Sequence, residues 1–275
     1  MTKNIAIKLV ECPRDAWQGM ARQIPTQTKV ECLQAMLAAG IKHIDAVSFV
    51  SPQLLPQMAD SEDVLKQLDL PEDVEIIATV LDQKGAERAA ATKAVHTLNF
   101  SYSVSETYLK QNLKQSAEEN SEALEAVLAK AQEHGLEMVA SIAMAFGNPH
   151  GEDWSVDEVK AAVANLADMG IRTIILEDNA GVATPERIGE VFSAVIGAFD
   201  HLEIGVHLHT NSREAGKKII AAYDAGCHRF TTVLGGLGGS LPTEIVVHKL
   251  VPIAERTQFV QALQINKKIA AQFGA

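Results

Sequence analysis

The sequence predicts an α/β fold, a (β/α)8 TIM barrel. Three observations carry that expectation. Eight short apolar, β-branched runs alternate with helix-patterned segments along the whole chain. The runs are continuously apolar, which marks strands covered on both faces by helices. The chain has 275 residues, a length that suits eight strand-helix units. An open doubly wound sheet is the competing arrangement, and it would usually carry a glycine-rich phosphate turn after its first strand. Here that turn reads CPRDAWQG, residues 12–19. No Pro-, Gly- or Ser-rich linker interrupts the pattern, so residues 1–275 read as one TIM-barrel domain.

The strand candidates are, in order, 5–12, 43–50, 74–81, 94–103, 136–146, 171–178, 202–209 and 229–236. Between them lie segments of helical spacing such as Thr28 to Ala39 and Val156 to Met169. Gly40, Gly135, Gly170 and Gly226 stand where helices should end, each followed at once by a strand. Thr26, Ser155, Thr184 and Ser212 are the expected N-caps. The longest connection, Ser105 to Gly135, is polar and acidic and should form one or two helices.

Composition narrows the function. The net charge of −11 argues against nucleic acid or an anionic membrane as the main partner. No apolar run is long enough to span a bilayer. Lys8 and Glu11 interrupt the apolar N-terminus, so no secretory signal is expected. Three cysteines, Cys12, Cys32 and Cys227, are odd in number and widely spaced, as befits a reduced, cytoplasmic protein.

In a barrel, catalytic groups sit at the C-terminal ends of strands. Arg14 and Asp15 follow the first candidate strand, and Asp45 and Ser48 lie in the second. Glu177, Asp178 and Asn179 end the sixth, His207 and His209 end the seventh, and Gly235 to Ser240 follow the eighth. Residues i and i+2 of a strand share a face, so both histidines point inward or both outward. If inward, they converge near Asp15 and form a three-ligand divalent-metal site with open positions. Taken alone, Asp15 serves equally well as a helix cap or as a partner for Arg14, and Asp178 as a turn residue. The remaining histidines read as structural or solvated, and Cys12 as a small buried thiol.

Several longer runs carry a resemblance. They are PRDAWQ at 13–18, SFVSP at 48–52, PQMAD at 56–60, GVATP at 181–185, HLH at 207–209 and GLGG at 236–239. Together the chain resembles the hydroxymethylglutaryl-CoA lyases and, more broadly, the metal-dependent TIM-barrel lyases and Claisen-type synthases. The resemblance implies that Asp15, His207 and His209 bind Mg2+ or Mn2+; the mixed ligand set also suits Zn2+. It implies that Arg14 polarises a substrate carbonyl, that Asp45 stands for a family glutamate, and that Asp178 matches a family aspartate near the substrate. The candidate catalytic groups are thus Arg14, Asp45, Asp178 and Ser240, and the candidate substrate contacts are Gln18, Ser48 and Asn211.

The implied reaction is cleavage of a 3-hydroxy acyl-CoA. A related aldolase or condensing enzyme on another small carboxylate, or a barrel that binds without turnover, are the rivals. The implied partner is a small acyl-CoA or carboxylate, and self-association into a homo-oligomer stays open. Three sites depart from the family pattern: Ala16 replaces a glycine, TNSR follows HLH at 210–213, and Ser240 stands at a cysteine position in a shortened loop. These departures lead us to expect weak activity on hydroxymethylglutaryl-CoA itself.

Overall fold

The computed structural model describes residues 6–252 and 259–274. Eight parallel strands close on themselves in chain order. They are β1 (Lys8–Glu11), β2 (His43–Ser48), β3 (Glu75–Val80), β4 (Thr97–Ser103), β5 (Glu137–Ala143), β6 (Thr173–Asp178), β7 (Glu203–Leu208) and β8 (Arg229–Thr232). Closure is made by four residue pairs between β1 and β8, from Lys8–Arg229 to Glu11–Thr232. Each strand falls inside its expected run, although Ile5, at the start of the first run, lies outside the described residues. The alternating helices form the outer layer, and one hydrophobic cluster lies between them and the strands.

The helices are α1 (Pro13–Gln18), α2 (Thr26–Ala38), α3 (Ser61–Lys66), α4 (Gln83–Ala91), α5 (Glu106–Tyr108), α6 (Ala117–His134), α7 (Val156–Asp168), α8 (Pro185–Ala198), α9 (Ser212–Asp224), α10 (Thr243–Leu250) and α11 (Val260–Phe273). Ser155 and Thr184 cap α7 and α8 as expected, the first in a reciprocal box with Glu158. Two expected caps are corrected. Pro25 precedes α2, and the Thr26 hydroxyl instead donates to Asp60 Oδ2 at 2.7 Å. Asn211 caps α9, with Oδ1 accepting from the amides of Arg213 and Glu214, so Ser212 is the first helical residue. An amide oxygen one residue earlier reaches both free amides, which a serine already inside the helix cannot do. The long 105–135 connection contains α5, a single π-turn at Leu109–Leu113 closed by Lys114 at φ 60°, and the capped α6.

Two family-like runs turn out to build the frame. In PQMAD, the Gln57 side chain accepts from the Ile24 amide at 2.9 Å and donates to the Arg22 carbonyl at 3.0 Å. Asp60 pairs with the buried Lys29 ammonium at 2.6 Å. The run therefore fixes the start of α2. In GVATP, Thr184 and Pro185 start α8, while Gly181, at φ 68°, lies against the backbone of His209; a Cβ there would sit 3.3 Å from the His209 carbonyl oxygen.

Candidate metal centre and substrate cavity

β7 sets the geometry. It runs E-I-G-V-H-L, and its even turn of side chains sends Val206 and Leu208 into the core and His207 to the barrel axis. His209, just past the strand, follows in phase. Asp15 reaches the same point from α1, whose Pro13 starts the helix directly after β1. His207 Nε2 and His209 Nε2 lie 3.5 and 3.6 Å from Asp15 Oδ2. The imidazole rings are 5.3 Å apart. All three ligand atoms lie within 4.8 Å of one another, so the group could hold a metal ion. Both histidines point inward, and the two imidazoles converge on Asp15 as the spacing allowed.

The electrostatics fit a cation. Burial alone would raise the Asp15 carboxyl, but hydrogen bonding and charge from His207 and His209, with Arg14 beyond, hold it well below the usual carboxylate range. Burial would lower His207, and contact with Asp15 overrides it and raises the imidazole. One carboxylate oxygen thus stays ionised while two nitrogens and a hydroxyl crowd it. A hard or borderline divalent ion suits one carboxylate and two imidazoles.

Arg14 is fixed before any ligand arrives. Its Nε and Nη2 donate to the two oxygens of Asp45 at 3.2 and 2.5 Å. Nη1 donates to Gln18 Oε1 at 3.3 Å, and Gln18 Nε2 donates to Asp15 Oδ1 at 2.8 Å. Cys12 is fully buried beside this pair, its Sγ 3.2 Å from Asp45 Oδ2. Burial pushes its thiol up. Asp45 and Ser48 are three apart, which strict alternation would place on opposite faces. A register shift between Asp45 and Val47 resets the phase, so Asp45 faces Ile77 and Ser48 faces Thr79, and both look inward.

A cavity of about 250 Å³ opens beside Arg14, Gln18 and Ser48. Its far wall is Leu54, Leu55 and Tyr108. The sequence reading missed Tyr108, because it sits on the irregular 105–114 segment, where no periodicity aims a side chain. Burial raises its hydroxyl to a value beyond the ordinary tyrosine range.

On the sixth strand, the two oxygens of Asp178, an expected catalytic group, accept from the amides of Val182 and Ala183 at 2.9 and 3.0 Å, and Lys218 stands 3.7 Å away. The carboxylate is committed to holding the β6–α8 turn. Its neighbour Glu177 lines the barrel interior with Arg14, Asp45 and His207. The register shows why: Glu177 pairs with His207, and Asp178 with Leu208. Residues paired across a parallel sheet share a face, so an inward His207 demands an inward Glu177. Asn211 is exposed, and its amide oxygen accepts from the first free amides of α9. Ser240 does arrive at the centre, its hydroxyl donating to Asp15 Oδ2 at 3.1 Å.

With this geometry in place, comparison with known proteins gives a family. The HMGL-like family model matches residues 6–268. The chain belongs to the HMGL-like family. It is 30% identical over 237 residues to a hydroxymethylglutaryl-CoA lyase of Bacillus subtilis, covering 86% of this chain and 79% of that protein. It is 29% identical over 261 residues to the mitochondrial hydroxymethylglutaryl-CoA lyase of Rattus norvegicus, covering 91% and 80%. Among solved structures, the Bacillus subtilis HMG-CoA lyase superposes with a TM-score of 0.90 at 26% identity, over 98% of this chain and 94% of that one. An HMG-CoA lyase of Acinetobacter baumannii, solved with coenzyme A and 3-methylmalate, gives 0.88 at 26%, over 98% and 92%. This member of the HMGL-like family is a carbon–carbon lyase resembling hydroxymethylglutaryl-CoA lyase. Among the described residues, no helix is long and apolar enough to cross a membrane.

Proposed function

We propose that this chain is a single-domain, divalent-metal-dependent lyase that cleaves a 3-hydroxy acyl-CoA into a carbonyl product and a shorter acyl thioester. The observation that carries this reading is the convergence of His207, His209 and Ser240 on one ionised oxygen of Asp15. Asp15, His207 and His209 would hold Mg2+ or Mn2+. When bound, such an ion supplies Lewis-acid polarisation of a substrate hydroxyl.

The chain's own groups do the rest. Arg14 offers a planar, permanently charged donor set, held rigid by Asp45 and Gln18, to the oxygen on which enolate charge develops. In the overall reaction the tertiary hydroxyl loses its proton, the electron pair of the breaking C–C bond moves to the thioester enolate, and that enolate takes a proton at carbon. Asp45 positions Arg14 for this charge, Gln18 ties Arg14 to Asp15, and Ser48 lines the cavity that receives the acyl group. Three free, buried cysteines support a cytoplasmic setting.

A second substrate reading has its own support. Glu177 adds a carboxylate to the interior beside His207, and Ser240 fills the position of the family thiol. A carboxylate in the interior beside His207 and Arg14 disfavours a substrate that places its own free carboxylate there. This favours another 3-hydroxy acyl or small carboxylate substrate over hydroxymethylglutaryl-CoA.

The test is a panel of 3-hydroxy acyl-CoAs, hydroxymethylglutaryl-CoA included, assayed with Mg2+ and Mn2+ and with product identification. We expect turnover that disappears on chelation, and retained Mn2+ after desalting in the wild type but not in the His207→Ala, His209→Ala double variant. Equal metal in both proteins would sink the assignment of the ligands.

A further inference from the structure

The loop after β8 is pinned along its length. At its start, the Leu234 amide donates to Glu11 Oε1 at 2.6 Å, and the Leu234 carbonyl accepts from Asn266 Nδ2 at 2.6 Å. The Gly235 amide donates to the Glu244 carboxylate at 3.0 Å. At its end, the Thr210 amide donates to the Gly239 carbonyl at 2.8 Å, and the Leu241 amide to the Leu208 carbonyl at 2.9 Å. Ser240 therefore forms an antiparallel bridge with His209, one of the two imidazole donors. A Cβ on Gly238 would sit 3.3 Å from Ala16 Cα, so the glycine, at φ 68°, lets the loop lie directly on α1. The Ser240 side chain is held at the centre by backbone on both sides and is only 1% exposed.

Its hydroxyl donates to Asp15 Oδ2 at 3.1 Å. The same oxygen has His207 Nε2 at 3.5 Å and His209 Nε2 at 3.6 Å. Ligand atoms about 2.1 Å from a hard divalent ion are separated by roughly 3 Å along an octahedral edge. The spacing of Ser240 Oγ from Asp15 Oδ2 is thus that of two neighbouring ligands.

We propose that Ser240 is a fourth protein ligand of the cation that Asp15, His207 and His209 hold, bound through its neutral hydroxyl oxygen. The proposal rests on the metal-dependent reading of the site. The donor set becomes two nitrogens and two oxygens carrying one negative charge. Such a set keeps the site hard, and a six-coordinate ion retains two positions for substrate oxygens. A hydroxyl committed in this way is not a mobile acid, which separates its role from that of a thiol.

Ser240→Cys tests the geometry directly, because a coordinated thiolate announces itself. Loaded with Co2+, that variant should show a near-ultraviolet sulfur-to-metal charge-transfer band. The wild type, which already contains Cys12, should lack it. The same variant should prefer Cd2+ over Mn2+ by at least about tenfold relative to the wild type, since thiolates select soft ions. In a parallel Mn2+ titration followed by electron paramagnetic resonance, Ser240→Ala should bind about tenfold more weakly, a change typical of disturbed ligand spheres. Stoichiometric Co2+ binding by Ser240→Cys without the band would overturn the proposal and leave the three-ligand site standing. Unchanged Mn2+ affinity in Ser240→Ala would overturn it too, even if the cysteine variant did not fold. Failure of the wild type to bind either ion would remove the metal reading and this proposal together.

Discussion

The two ends of the barrel are both rich in charge, and they use it differently. At the N-terminal end, Glu75 Oε2 meets His43 Nδ1 at 2.7 Å and Lys8 Nζ at 3.3 Å, and Glu75 Oε1 accepts from Thr97 Oγ1 at 2.6 Å. Beside it Arg229 pairs with Glu203 at 2.8 Å. Here Glu75 uses both of its oxygens and Glu203 takes Arg229, although the buried Arg229 Nε has no partner. At the C-terminal end, two imidazoles and a hydroxyl crowd one oxygen of Asp15, and Glu177 adds a further carboxylate nearby. Pairing of the first kind holds strands in register and asks for nothing more. Convergence of the second kind is a poor way to make stability, because several donors compete for one acceptor, and a good way to prepare a cation site.

The largest effect should separate the two ends by a single conservative change made at each. Arg14→Lys removes the fork that grips Asp45 and faces the cavity; Arg229→Lys removes a guanidinium whose Nη1 donates to Glu203. We expect kcat to fall by about 10²–10³ in Arg14→Lys, the loss typical of one transition-state donor, with metal content unchanged. Arg14→Lys should also cost about 1–3 kcal/mol of stability, because Asp45 is left imperfectly paired in a buried place. Arg229→Lys should lower the melting temperature and leave kcat within about twofold, because its acid partner Glu203 stands at the N-terminal end of β7. Steady-state kinetics beside thermal melts decide it; comparable losses of kcat in both variants would dissolve the contrast between the ends.

A smaller effect sharpens the contrast within one strand. Glu177 and Asp178 are neighbours facing opposite ways. Asp178→Asn leaves Lys218, only 3% exposed, without its anion and should cost about 3 kcal/mol in urea unfolding. Glu177→Gln should change stability by no more than about 0.5 kcal/mol. It should instead alter the ranking of substrates in the acyl-CoA panel, with carboxylate-bearing ones gaining. The reverse assignment of effects would show that the register has been misread.

This pair also shows how far the sequence could be read. The eight apolar runs were long and distinct enough to place all the strands, and closure followed from their number. HLH was legible because i and i+2 on a strand share a face, and the Arg14–Asp15 pair because it follows the first strand, at the end where a barrel carries its chemistry. What the sequence leaves open is phase between strands. Glu177 and Asp178 differ by one residue, and only pairing with β7 says which looks inward. The β2 bulge is equally silent in sequence, yet without it Asp45 and Ser48 could not share the interior. Asn211, an expected substrate contact, caps α9, a use its amide suits equally well. Tyr108 could not be aimed at all, since its three-residue helix runs straight into a π-turn, which has no strong sequence signal.

The effect that is smallest at acid pH lies at Glu11, the last residue of β1. This carboxyl is 1% exposed and turned away from the axis. Its Oε1 accepts from the Leu234 amide, and Oε2 lies 2.6 Å from Thr243 Oγ1. Burial outweighs those hydrogen bonds and pushes it from the ordinary 4.5 up to about 8. At neutral pH it is therefore a buried acid holding its proton, the opposite of Asp15, which is held ionised by its neighbours. The sign follows. Between about pH 4.5 and 8 the folded chain keeps a proton that the unfolded chain releases, so this stabilisation is complete below the lower value and is lost as pH rises through the upper one. The slope is at most about 1.4 kcal/mol per pH unit. Glu11→Gln keeps an oxygen for the Leu234 amide and offers an N–H where the acid offers its O–H, but it has nothing to titrate. At pH 5 it should match the wild type within about 1 kcal/mol. From pH 6 to 9 its urea midpoint should stay flatter, so that it overtakes the wild type in alkali. Because Leu234 begins the loop that carries Ser240, turnover at pH 7 should survive the change, since the loop needs the hydrogen bond and not the charge. Parallel pH slopes in the two proteins would mean that Glu11 is ionised in the fold, and the proposed opposition between it and Asp15 would be gone.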